Sequence, residues 1–384
     1  MALQKLKLRD VCKIDGARNL RRNIPYVGME DIESNTGRFL GQLTPRGVKS
    51  STFYFTPEHL LYGRLRPYLN KVLLPSFRGH CSTEIFPLKP NGLIDKRFLF
   101  HWITSEPIVE RINKTCTGAR MPRANMEQVL DFGISVPSLH EQKRIVAVLD
   151  ESFESISKAK ECAEKNLASV NELFKSYLQS ELLNEKWEQK LLGEVCEGIE
   201  YGTSSKSKKS GQVPVLRMGN IQNGRIDWTK LVYSDDKTEI KKYRLKHNDV
   251  LFNRTNSPEW VGKTAIYKSE RPAIFAGYLI RIHRKEKLLD ADYLNYFLNS
   301  DMAMKYGKTV TISSVNQANI NGAKLMRYPI PVPPIAEQKN IVKRLNSLAT
   351  EIQSLESVYT RKLADLEELK KSILQKAFSG ELAG

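Results

Sequence analysis

The chain has 384 residues, and its 60 Lys and Arg outweigh 43 Asp and Glu to give a formal net charge of +17. That length accommodates two globular domains plus extended structure, and an excess of this size points away from a neutral metabolic enzyme and toward a polyanion, nucleic acid first. The five cysteines (Cys12, Cys81, Cys116, Cys162, Cys196) are odd in number and form no C-x-x-C pair, which argues against a disulfide scaffold or cysteine zinc site. With no apolar signal core in MALQKLKLRD and no run long enough to span a membrane, the expected location is the cytoplasm.

Residues 1–137 read as a first mixed α/β domain, with strands at Ile24–Val27 and Glu84–Leu88 and a helix starting in Arg97–Ile103. Two probable loops mix cations, amides and aromatics. One carries Arg64, Arg66, Tyr68, Asn70 and Lys71, the other Arg120, Arg123 and Asn125. Arg suits guanine, Asn and Gln suit adenine, Lys mostly neutralises phosphate, and aromatic faces stack. Taken singly, such a run is more often a solvated loop than a base reader.

Residues 138–184 read as a long helix. Ser138, after Pro137 and three residues before Glu141, has the spacing of a capping box. Leu149, Phe153, Ile156, Lys160, Ala163, Leu167, Val170, Phe174 and Tyr177 then follow alternating steps of four and three, the coiled-coil rhythm.

A second domain of the same class spans 185–333, with strands at Val213–Met218 and Tyr278–Ile282 and a helix starting in Tyr293–Leu298. Its candidate DNA contacts are Lys206, Lys208 and Lys209 in a Ser/Gly-rich loop, and Arg217 and Asn220 beside the first strand. Arg254, Asn256, Trp260 and Lys263 follow a later strand, and Ser313, Asn316 and Gln317 complete the set. Residues 334–384 supply a second helix, with Pro334 suited to its first turn, and a tail. The helix stripe is Leu345, Ala349, Ile352, Glu356, Tyr359, Leu363, Leu366, Lys370 and Ile373. Lys160 and Glu356 interrupt the two stripes at equivalent places with opposite charge. They either meet and fix register or run to solvent.

The two halves repeat. Val136–Val146 returns as Val332–Val342, with Glu141 and Glu337 separated by 196 residues, and the offset holds through Leu178-Gln179 and Leu374-Gln375. A constant offset over about forty residues implies a rigid element without insertions. Upstream the offset drifts: Val11-Cys12 matches Val195-Cys196 at 184. That is a shared framework with loops of different length, and two helices of about 60 Å that would act as a ruler between domains. The expected fold is α+β: two target-binding domains separated by an antiparallel coiled coil, pseudo-two-fold by duplication.

No catalytic set emerges. Asn256-Ser257-Pro258-Glu259-Trp260 only faintly echoes a methyltransferase motif, and no glycine-rich cofactor loop or G-x-x-x-x-G-K-[ST] phosphate loop occurs. Glu141-Gln142-Lys143 and Glu337-Gln338-Lys339 open helices without an acidic partner, and the six histidines show no ligand spacing. The expectation is no catalytic residue and no metal.

The duplicated helix openings, the closing run Leu369–Leu382 and the segment Trp187–Val195 resemble, over essentially the whole chain, the specificity subunits of Type I restriction-modification enzymes. The resemblance implies two target-recognition domains reading an asymmetric bipartite double-stranded DNA site, and assembly with two methyltransferase subunits and further restriction subunits. S-adenosylmethionine, ATP and Mg²⁺ would belong to those partners, with no cofactor on this chain. A stand-alone bipartite DNA-binding regulator, a helical scaffold and a fused restriction enzyme are the other readings. The first repeat departs from the pattern at Gln179–Asn184, which leaves the end of the first helix open.

Overall fold

The computed structural model describes residues 4–19, 23–46, 48, 50–118, 120–183, 187–257, 260–314 and 317–379, with backbone alone for 18, 19, 312–314 and 317. The chain forms two compact units, Met1–Glu164 with Arg361–Gly384, and Lys165–Thr360, so the division falls inside both long helices.

In the first unit a short strand, Gln4–Lys7, pairs antiparallel with Gly133–Val136, the strand that leads into the first long helix. One four-stranded sheet has the order Cys12–Ile14, Ile85–Pro90, Leu60–Gly63, Val72–Leu73. Leu60–Gly63 is buried at every residue, as expected of a central strand covered on both faces. A second sheet holds Arg18–Asn19, Thr52–Phe55, Gly79–Ser82 and Tyr26–Val27. Helices Lys96–Thr104, Glu106–Lys114 and Met126–Leu130 follow; the first is capped by Asp95, whose carboxylate accepts from the Arg97 and Phe98 amides.

The second unit repeats the plan. Gln189–Leu191 pairs with Pro329–Pro331. A six-stranded sheet begins Cys196–Tyr201, Leu279–Arg284, Val250–Asn253, Thr264–Ile266, the same antiparallel order as in the first unit. Asp290 caps helix Ala291–Leu298 as Asp95 caps its counterpart. The expected strands and helices are all present, shifted by one or two residues. At Val213–Met218 the strand stops at Leu216 and Met218–Asn220 forms a 3-10 turn.

The long helices run Leu139–Leu182 and Ile335–Ser379. Leu182 and Ser379 differ by one residue in repeat register, so the divergent run after Gln179 does not shorten the first helix. Every stripe position is buried or half-buried, from Leu149, Phe153, Ile156, Leu167, Val170 and Phe174 to Leu345, Ile352, Tyr359, Leu363, Leu366 and Ile373. The off-stripe Leu173, Leu355, Val358 and Leu369 are exposed. Within the first unit the helices run antiparallel: Lys160 is ion-paired with Glu367, and the Lys370 ammonium lies 5.2 Å from the centre of the Phe153 ring. Within the second, Arg344 and Glu181 are 2.7 Å apart, and Leu178 and Leu182 share a core with Ile341 and Leu345.

Two expectations about the helices are corrected. The Lys160 partner is Glu367, because an ammonium placed on the stripe reaches the acidic side chain flanking the seam. The capping box is half formed: Ser138 Oγ accepts the Glu141 N–H at 3.3 Å, whereas the Glu141 carboxylate turns to Arg144 at 2.7 Å. Pro334 stands just before the second helix, its carbonyl accepting from Glu337 and Gln338.

What the repeated Glu-Gln-Lys does is carried by the glutamine. Gln142 is fully buried; it donates to the carbonyls of Leu93 (2.9 Å) and Pro137 (2.8 Å) and accepts from the Asp95 amide (2.7 Å). Gln338 does the same with Leu288, Pro333 and Asp290, each at 2.8 Å. One uncharged side chain thus bolts each long helix to the capped helix of its globular domain.

Candidate nucleic-acid interface

In the first unit the two candidate loops come together. The Leu65 backbone bridges Arg123, the Ala124 amide donates to the Arg64 carbonyl at 2.9 Å, and the Arg66 amide to Pro122 at 2.7 Å. Glu84 closes this seam with one carboxylate on two guanidiniums, 3.1 Å from Arg64 and 2.9 Å from Arg123. Partial burial raises the Glu84 pKa, but the Arg123 hydrogen bond and the Arg64 charge outweigh it and hold the carboxyl below its ordinary range.

The tip of the first loop is a 3-10 turn, Pro67–Leu69, bracketed by Arg66 and Asn70, both left-handed (φ 50° and 47°). Arg66, Tyr68 and Arg120 are exposed. Four other candidates are committed to the fold instead. Asn70 is buried and donates to Thr104 O (2.9 Å), Lys71 donates to Met29 O (2.7 Å), and Arg123 is held by Glu84. Asn125 caps the helix at Met126 by accepting from the Gln128 amide, a role repeated by Asn321 with Lys324. Short amides next to turns serve backbone groups first, which sequence spacing alone does not reveal.

In the second unit the matching segments form a three-stranded sheet: Thr255–Asn256, Gln317–Asn319, Ile312–Ser314. It carries the candidates Asn256, Ser313 and Gln317 on adjacent strands; Asn316 lies outside the described residues. The Ile320 amide donates to the Arg254 carbonyl at 2.9 Å, as Ala124 does to Arg64. The Arg254 guanidinium lies 4.8 Å from the centre of the Tyr201 ring, and among the described residues its Nε is buried without a hydrogen-bond partner. The Lys263 ammonium sits 3.4 Å from the centre of the half-exposed Trp260 ring, and burial lowers its pKa. Asn256 accepts from the Ser257 amide.

Lys206, Lys208 and Lys209 are exposed, Lys208 beside Asp235 at 3.0 Å. Arg217 is exposed, donating weakly to Lys230 O at 3.4 Å. Asn220 serves its own loop. It is buried, accepts from the Arg217 amide and donates to Asp227 and Thr229 carbonyls, as Asp31 accepts from Gly28 in the first unit. The sequence reading missed Glu84 and Tyr201; an acid in the turn before a strand, or an aromatic at a strand's end, gives no signal until its neighbour across the seam is known.

The Type I restriction modification DNA specificity domain matches twice, at residues 3–164 and 184–360. The chain is 33% identical over 199 residues to the MjaX type I restriction enzyme specificity subunit of Methanocaldococcus jannaschii, covering 51% of this chain and 46% of that one. It is 27% identical over 329 residues to the EcoKI specificity subunit of Escherichia coli K12, covering 80% and 69%. In fold it is similar to a chain from a solved type I R-M system (TM-score 0.83, 21% identity, 98% of this chain and 99% of that). It is also similar to the HsdS subunit of Thermoanaerobacter tengcongensis (TM-score 0.65, 21% identity, 98% and 96%). With the domain model matching both repeats, and most of the chain between them, the protein belongs to the Type I restriction modification DNA specificity family.

Proposed function

We propose that this chain is a non-catalytic specificity subunit: its two globular domains read the two halves of an asymmetric bipartite double-stranded DNA site, and its paired helices recruit methyltransferase subunits to it. The observation that carries this reading is the duplicated recognition framework, on which one seam presents different side chains in each copy. Arg66, Tyr68 and Arg120 are the first domain's candidate contacts. Lys206, Lys208, Lys209, Arg217, Arg254, Trp260 and Lys263 are the second's. Cations of this kind supply the salt-dependent phosphate attraction on which base reading is superimposed. Two methyltransferase subunits, with restriction subunits added for cleavage, would carry S-adenosylmethionine, ATP and Mg²⁺, and the complex would act in the cytoplasm. Among the described residues no helix is long and apolar enough to cross a membrane.

The test is co-purification followed by footprinting. The expected result is a complex with two methyltransferase subunits that protects a split site, and no cleavage or methylation by the isolated chain with Mg²⁺ and S-adenosylmethionine. Specific DNA binding with no methyltransferase recovered would favour a stand-alone regulator.

A further inference from the structure

Arg64 and Arg254 occupy the same place in the two domains. Each follows the central buried strand, Leu60–Gly63 or Val250–Asn253. Each carbonyl accepts from the segment across the seam, from Ala124 or Ile320. Each amide donates to the residue at the mouth of the next strand of the sheet, Glu84 O at 2.9 Å for Arg64 and Tyr278 O at 3.0 Å for Arg254. Residues 84 and 278 are therefore equivalent, and they differ in the property that decides what an arginine can do. The Glu84 carboxylate pairs with Arg64 and Arg123 together. Arg254 rests on Tyr201; among the described residues no carboxylate lies within ion-pairing distance of it and its Nε has no hydrogen-bond partner.

We propose that residues 84 and 278 decide the role of the arginine beside them: Arg254 reads a base of the second half-site, whereas Arg64, pinned by Glu84, is part of the first domain's frame. The inference rests on the specificity-subunit reading above and deepens it. Both guanidiniums lie over an aromatic ring, Arg64 5.0 Å from the centre of Phe86 and Arg254 4.8 Å from that of Tyr201; the difference is the carboxylate, which takes the Arg64 Nε–H and offsets its charge. A guanidinium with no carboxylate beside it keeps its charge and its Nη donors for the two acceptors of guanine. The support under Arg254 is itself fixed. The Tyr201 hydroxyl accepts from the Gly322 amide at 2.9 Å, and a Cβ at Gly322 would lie 1.9 Å from the Ile199 side chain, so the chain there closes tightly over the ring's neighbour.

The test uses the full chain, purified from its own host with the subunits it retains, and a double-stranded DNA library with both half-sites randomised. Arg254→Ala is expected to cut the preference at one base pair of one half-site about tenfold or more, leaving the other half unchanged. Tyr278→Glu, which installs the first domain's carboxylate, should abolish the same preference with Arg254 still present, and Tyr278→Phe should keep it. Arg64→Ala should alter no base preference while lowering the melting temperature of the first unit. Loss of a base preference in Arg64→Ala equal to that in Arg254→Ala, or an unchanged preference in a folded Arg254→Ala, would overturn the proposal. Cooperative melting and a retained second-unit exchange pattern identify the folded variants; if Tyr278→Glu fails this check, Arg254→Ala and Arg64→Ala decide alone. A wild-type complex with no sequence preference would instead sink the specificity reading itself, which is a different result from wild-type selection with an indifferent Arg254.

Discussion

The two domains answer one structural problem with different chemistry, and the difference separates frame from surface. The end of the first sheet strand is tied in both. In the first unit Asp15 meets buried His59 at 3.3 Å; in the second, buried Arg281 lies between Glu200 and Asp249, the latter at 2.9 Å. Both copies keep the glutamine bolt, the Asp cap and the Asn cap, and these are the groups whose partners are backbone atoms. Side chains whose partners are other side chains have diverged, and the Glu84 and Tyr278 pair is one example. Backbone partners persist in any sequence that keeps the fold, whereas side-chain partners must change together.

The bolt sets the strongest expectation. Gln142→Ala and Gln338→Ala each remove a buried side chain that satisfies three backbone groups and should destabilise their own unit by about 3 kcal/mol, equally in the two copies. Denaturant unfolding followed by peptide-resolved hydrogen exchange measures this. A loss confined to one copy would show that the repeat is not mechanically equivalent. At the seam, Glu84→Ala should cost the first unit about 1 kcal/mol, since the pairs it removes are partly solvated.

Acid should separate the units more gently. The Glu84 pKa is lowered in the folded state, so its contribution is present above the ordinary glutamate range and is lost as pH falls through the folded value. Wild type should therefore lose more first-unit stability on acidification than Glu84→Gln does, and parallel pH profiles would contradict the pairing. The subtlest effect concerns the helices. Adding one turn after Ala163 and after Tyr359 lengthens each by about 5.4 Å. The preferred spacer between half-sites should grow by about one or two base pairs. Spacer selection on both proteins measures it, and an unchanged spacer would leave the coil a recruiting scaffold only.

Much of this architecture was legible because it is periodic. The stripe from Leu149 to Phe174 and from Leu345 to Ile373 follows from apolar spacing alone, and the constant repeat offset excludes insertions. The candidate recognition surface was half legible. Clustering of cations marked the two loops that Glu84 and the Arg64–Ala124 bond join, but could not tell Arg66, which is exposed, from Asn70, which faces Thr104 O. That distinction depends on which backbone group lies across a turn, a long-range fact with no local sequence signature. Gln142 is hidden differently: it stands inside a repeated motif between the charged Glu141 and Lys143, and a neutral amide so flanked carries no sequence signal of burial.

The bolts and the candidate DNA-facing groups also respond to different solvents. Gln142 and Gln338 hold their domains through neutral hydrogen bonds from side chains that are themselves fully buried, so neither ionic strength nor pH loosens them. A cationic surface, by contrast, releases a polyanion steeply as salt rises. The chain can therefore be rinsed: concentrated salt should strip the nucleic acid and leave both units folded, ready to engage again on dilution.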